Sequence, residues 1–183
     1  DVIGSVIDND LANFNTGYRP VGADLIQPIS RSELAVSSDS LGVWDTRQLA
    51  DGDYELLVRA TDKLDHSRIY SIKVRVDNTA PQVALQVVGD DEVQAGTISF
   101  KGQVSDPHLD NYQLQWTQDL SLTAETEWQT INSQEVKGTT YALEQDWDSS
   151  AVFGPTTLRL LVQDTAGNSS QAHIRACQSA VKN

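Results

Sequence analysis

The chain matches itself. Residues 4–18, GSVIDNDLANFNTGY, lie without a gap over residues 102–116, GQVSDPHLDNYQLQW. Gly4 meets Gly102, Val6 meets Val104, Asp8 meets Asp106, Leu11 meets Leu109, Asn13 meets Asn111, Phe14 meets Tyr112 and Tyr18 meets Trp116. Further on, DGDYELLVRATDKLDHS (51–67) lies over FGPTTLRLLVQDTAGNS (153–169), so that Gly52 meets Gly154, Leu56 meets Leu158, Val58 meets Leu160 and Asp62 meets Asp164. Trp44-Asp45 is echoed by Trp147-Asp148 with a slip of one residue. Self-similarity that keeps chain order at a near-constant period marks a repeated structural unit, so any fold for this chain must work twice. The boundary falls in V-D-N-T-A-P (76–81), a run of turn formers and breakers, which gives modules of residues 1–78 and 79–183.

Each module reads as all-β. In YELLVRATD, Tyr54, Leu56, Val58 and Ala60 share one face and Glu55, Arg59 and Thr61 the other, with Leu57 the exception. In RIYSIKVRVD the buried set is expected to be Ile69, Ile72, Val74 and Val76, with an irregularity between the first two. A period of two means a strand with one wet face. DKLDHS between these runs is a polar hairpin turn, and its equivalent DTAGNS supplies Gly167 and Asn168, which tolerate positive φ. No stretch has a convincing helical stripe; the best local candidate, LTAETEWQ (122–129), is short. Short strands, frequent turn signals and modules of about 100 residues predict two tandem immunoglobulin-like, fibronectin-III-like β-sandwiches. LADGDY places Tyr54 where a tyrosine corner would cap the turn into a late strand; the second module has Thr156 there. Trp44 and Trp147 are expected to plug the two cores, because an indole buries a large area and needs one hydrogen-bond partner.

The segment LGVWDTRQLADGDYELLVRATD, followed by VDNTAP, resembles the Ig-like and fibronectin-III-like repeats of large bacterial surface and secreted proteins. A W-D-T segment, an L-x-D-G-x-Y corner, an A-T-D-x-x-G-N hairpin and a D-N-T-A-P junction recur once per module in those repeats. The second module keeps the D-T-A-G-N hairpin, while its corner has become FGPTT. The resemblance implies an extracellular or cell-surface stalk, spacer or adhesive module, with neighbouring modules of the same longer chain as partners. It also implies that some such repeats bind calcium at their junctions.

One strand is missing from the repeat. The second module owns PQVALQVVG (81–89) ahead of its Gly102 strand, but Asp1 falls almost on the equivalent of Ser99. The first sandwich is therefore expected to lack its first strand and to show an unpaired sheet edge. Either the chain was cut from a longer array, which is the expectation, or another chain's strand fills the gap. The chain begins with Asp1 and opens on no signal-peptide pattern, so it reads as a mature form or excised fragment.

Charge narrows the partners. The formal net charge is -13, with acids exceeding bases on both sides of the junction. A field of that sign repels phosphate backbones and anionic lipid, which excludes nucleic acid as an expected partner, and it attracts cations. Apolar runs are far shorter than the ~20 residues that span a bilayer, so no membrane insertion is expected. The single Cys177 forms no internal disulfide and reads as an inert, half-buried residue of the last strand.

Two groups of residues are candidate sites. Sandwich topology brings the loop DPHLDN, the hairpin DTAGN and the junction to one end of the second module, and with them Asp77, Asn78, Asp106, Asp110 and Asp164. Hard oxygen ligands in that number suit Ca2+. The same residues are also ordinary turn formers, which bond their own backbone. Asp8, Asp10, Asn13 and Asp62 repeat the pattern in the first module. Trp116, Trp128, Tyr112 and Tyr141 offer a stacking surface for a glycan, with Trp128, set among polar residues, the foremost; core packing or a lone surface aromatic explains them as well. His66, His108 and His173 fall on a hairpin, a loop and a strand, and the chain has no G-x-S-x-G, H-E-x-x-H or Gly-rich phosphate loop. The chain is thus expected not to be an enzyme and to require no cofactor. A protein or glycan ligand, or an accessory role beside a secreted hydrolase, is the alternative to the spacer.

Overall fold

The structure, a computed structural model, describes residues 1–88, 96–119, 121–152 and 154–178, with backbone alone for 177 and 178. The chain divides into two compact units, Asp1–Asn78 and Thr79–Asn183. All regular structure among the described residues is β-strand. Residues 122–129, the local helix candidate, contain a turn and no helix. Among the described residues no helix is long and apolar enough to cross a membrane.

The second unit has seven strands: β7 (Gln82–Val87), β8 (Thr97–Ser105), β9 (Leu109–Thr117), β10 (Gln129–Glu135), β11 (Thr140–Asp148), β12 (Gly154–Asp164) and β13 (Ser169–Gln178). They form a three-stranded sheet, β11-β8-β7, and a four-stranded one, β10-β9-β12-β13. This is the order of a fibronectin-III-like sandwich, in which the chain crosses between the sheets after β8, β10 and β11 and alternate side chains of both sheets are buried between them. Leu158, Leu160 and Val162 alternate along β12, and none is more than 1% exposed. Phe100 and Ile98 of β8 and Tyr112 and Leu114 of β9 meet them in one cluster.

The first unit repeats this with one strand fewer. Its strands are β1 (Val2–Val6), β2 (Leu11–Pro20), β3 (Gln27–Ser32), β4 (Val36–Gly42), β5 (Gly52–Asp62) and β6 (Ser67–Val76). β3-β2-β5-β6 is the four-stranded sheet, but only β1 and β4 stand opposite it. Nothing among the described residues takes the place that β7 holds in the other unit, as the repeat predicts. The core is correspondingly small, with Phe14 at its centre and Val2, Val6, Leu41 and Leu56 around it. The Thr16 and Ser30 hydroxyls bond each other at 2.6 Å and also reach the Leu41 carbonyl, tying the four-stranded sheet to β4 through a polar contact.

Two expectations are corrected. Ile69 and Ile72 are 55% and 45% exposed and do not belong to the buried set; of the four, Val76 is buried and Val74 half-buried. Ile72 does stand opposite Leu56 on the inner face, but no strand covers it, whereas Ile69 pairs with Arg59 on the outer face. Trp44 and Trp147 are half-buried and pack at the margins of their cores, whose centres belong to Phe14 and to Phe100 and Tyr112. The Trp44 Nε1 is buried and has no hydrogen-bond partner among the described residues. Cys177 lies in β13 opposite Pro155, and its side chain falls outside the described residues, as do Gly89 and Phe153.

Candidate functional site

The acidic loops are built from one device used twice. In the second unit Asp164 ends β12 and is only 2% exposed. Its Oδ1 accepts the N–H groups of Ala166 and Asn168, at 2.9 and 2.8 Å, and its Oδ2 accepts the Asn168 amide at 2.8 Å. In the first unit Asp62 ends β5, and its Oδ1 accepts the N–H groups of Leu64 and His66, at 2.8 and 2.9 Å. Its Oδ2 lies 2.9 Å from His66 Nδ1. Burial raises the Asp62 pKa, but the His66 and Leu64 hydrogen bonds outweigh it and hold the carboxyl below its ordinary range. Asp65 and Gly167 occupy the matching positive-φ corner, at 64° and 92°.

The neighbouring loops match as well. Asp106 Oδ1 accepts the His108 N–H at 2.7 Å, and Asp8 Oδ1 accepts the Asp10 N–H at 2.7 Å. Thr165 N–H donates to the His108 carbonyl, and Lys63 N–H to the Asp10 carbonyl, both at 2.9 Å. A carboxylate that accepts local N–H groups fixes the turn that carries it. Of the three aspartates of the second unit named for calcium, Asp106 and Asp164 therefore each do turn work. Asp110 accepts the Asn111 amide at 2.7 Å on its Oδ2. Asp77 and Asn78 belong to the first unit. Asn78 is used there: its N–H donates to Asp51 and its amide to the carbonyls of Thr46 and Leu49, at 2.6, 2.8 and 3.0 Å.

The aromatic candidates separate by face. Tyr112 is 1% exposed and stacks on Tyr141 at 5.5 Å between centroids; burial pushes its phenol up to about 12. Trp116 packs on the core margin against Trp147 at 5.2 Å, the counterpart of Tyr18 against Trp44 at 5.0 Å. Trp128 lies elsewhere. Its ring is parallel to that of His173, 5.7 Å away, and the Arg159 guanidinium sits 3.9 Å over its centre. Arg159 in β12 stands between Gln115 of β9 and His173 of β13 and donates to the Gln115 side chain at 3.0 Å. Burial, reinforced by the Arg159 charge, lowers the His173 pKa. The sequence singles out Trp128 and places His173 on a strand, but it does not bring the two together and does not point to Arg159. The available signal is the period of two, which puts Arg159 and His173 on the outer face; their meeting with Trp128 depends on how residues 121–128 lead into β10.

The third feature is a groove of about 600 Å³ in the first unit, lined by residues of β1, β5 and β6 together with Leu41 and Trp44.

No family model matches the chain, and no curated protein matches it. Among solved structures it is similar to a tetra-tandem repeat in the extending region of a large adhesion protein, at 20% identity and a TM-score of 0.43, covering 95% of this chain and 43% of that one. The amphioxus IgVJ-C2 molecule matches at 11% identity and a TM-score of 0.33, over 94% of this chain and 92% of its own. A 1.5-MDa bacterial ice-binding adhesin matches at 15% identity and a TM-score of 0.34, over 97% and 56%. The chain thus spans about half the length of the two adhesin chains.

Proposed function

We propose that this chain is a pair of structural modules from a longer bacterial surface or secreted protein, working outside the cell as a semi-rigid spacer and carrying no catalytic activity. The observation behind this reading is the duplication, which extends from sequence to individual hydrogen bonds. Asp62 and Asp164 close their hairpins with the same backbone N–H positions. A unit copied at that level of detail is suited to an array, in which each copy repeats a shape. The W-D-T, D-G-x-Y and D-N-T-A-P motifs support the same assignment by resemblance. His66 is engaged structurally with Asp62, and His173 with Trp128. Pro81 fixes its own φ and biases Ala80 toward an extended form, which limits slack in the linker.

Small-angle scattering from the chain in solution tests the spacer. An elongated particle supports it, and a compact one contradicts it. Calcium binding by the acidic loops is the part of the proposal with its own test. Heat on titration with Ca2+ and a melting temperature that falls on chelation support it; neither response would leave turn formation as the loops' role.

A further inference from the structure

The groove in the first unit opens onto the inner face of β5 and β6, which no third strand beside β1 and β4 covers among the described residues. The two units supply an internal comparison, because β5 and β12, and β6 and β13, align position by position. Leu158, Leu160 and Val162 are 0%, 1% and 0% exposed. Their counterparts Leu56, Val58 and Ala60 are 9% exposed, half-buried and half-buried. Ala172 and Ile174 are half-buried, whereas their counterparts Tyr70 and Ile72 are 71% and 45% exposed although they lie opposite Val58 and Leu56 on the inner face. What differs is β7. Its Val83, Leu85 and Val87 pack on the core of the second unit, and its backbone pairs with β8. In the first unit, among the described residues, β1 pairs with β4 alone.

We propose that the groove between β1 and β6 is a strand-acceptor site, and that its occupant is an extended segment of β7's chemistry. That segment has six residues with apolar side chains at alternate positions, and it runs antiparallel to β1. The register follows from the repeat. Val83, Leu85 and Val87 stand opposite Val104, Gly102 and Phe100, whose counterparts are Val6, Gly4 and Val2. The occupant's three apolar side chains therefore fall opposite Val6, Gly4 and Val2 and descend onto Val58, Tyr70 and Ile72. Main-chain bonds to the free edge supply affinity, and the alternate side chains supply selectivity. A polar or charged side chain at those three places would be buried without a partner and rejected.

The test joins a second copy of residues 79–98 ahead of Asp1 and follows amide exchange across residues 2–6. The occupied groove slows exchange there by roughly tenfold or more and raises the melting temperature of the first unit by about 4 °C or more. The same extension with aspartate at its counterparts of Val83 and Leu85 gives neither effect. If the extended chain does not fold, the free peptide of residues 81–88, added to the unextended chain, is read by the same exchange. No slowing with either probe overturns the proposal. So does equal slowing by the aspartate variant, or concentration-dependent protection of residues 2–6 in the unextended chain, which would assign the edge to a second copy.

Discussion

The Tyr54 hydroxyl donates a 2.9 Å hydrogen bond to the Ala50 carbonyl, four residues back along the chain. It pins the turn that leads into β5 while the ring packs against Trp44 and Tyr18, at 6.0 and 6.1 Å between centroids. At the matching position of the second unit Thr156 is buried and its hydroxyl donates to the Gly154 carbonyl, two residues back. Tyr54→Phe removes one half-buried hydrogen bond and keeps the ring, so it costs about 1 kcal/mol. In calorimetry the transition of the first unit falls by about 4–8 °C, and that of the second stays where it was.

Asp164→Ala strips two backbone N–H groups and an amide of their acceptor. It destabilises the second unit by about 1–3 kcal/mol, measured by urea denaturation. Asp164→Asn, which keeps one acceptor oxygen, costs less. An Asp164→Ala variant as stable as the parent would remove the turn-forming account of these loops.

The Asp62 carboxyl titrates below its unfolded value of 3.8. A depressed carboxylate stabilises the fold above the unfolded pKa, and that contribution is lost as pH falls through the folded pKa. Acid titration of the first unit therefore shows a loss of stability below pH 3.8 that Asp62→Asn lacks. Denaturation midpoints of the two proteins, compared on either side of that pH, give the difference.

His173 behaves with the opposite charge. Its folded pKa lies below the ordinary 6.5, so the unfolded state takes up the proton first. Stability contributed by neutral His173 is present above 6.5 and declines as pH falls through the folded pKa. NMR titration of the imidazole gives a midpoint below 6.5, and Arg159→Gln moves it upward by removing the neighbouring cation.

The repeated glycines are not equivalent. A methyl on Gly102 would meet Leu160 at 2.7 Å in a filled core, and one on Gly4 would meet Leu41 at 2.8 Å beside an open groove. Gly102→Ala costs about 1–3 kcal/mol by overpacking, and Gly4→Ala costs less, because Leu41 has room to turn. Thermal melting of both variants reads the contrast.

The architecture was legible in the sequence because alternation and duplication are carried by the residues themselves. The pairing of Gly4 with Gly102 and of Phe14 with Tyr112 identifies equivalent strands before any contact is known. The absent first strand followed from the same alignment. Burial was less legible. Alternation assigns Ile72 to the inner face, but the face becomes a core only when another strand covers it. Trp44 and Trp147 were misplaced because size alone suggests a central position, whereas mid-strand Phe14 and Tyr112 project deeper. The Trp128, Arg159 and His173 cluster joins a connection to two strands, and no period in the connection announces where it lands.

The central claim is that one sandwich is written twice and that the first copy leaves a sheet edge open. Residue-resolved amide exchange across β1 and β8 tests it most directly. Every amide of β8 that faces β7 or β11 should be protected, while β1 should show protection only for amides directed at β4 and fast exchange for those at the open edge. Uniform protection along β1 in the monomeric chain, or protection following a helical period in either copy, would contradict the account.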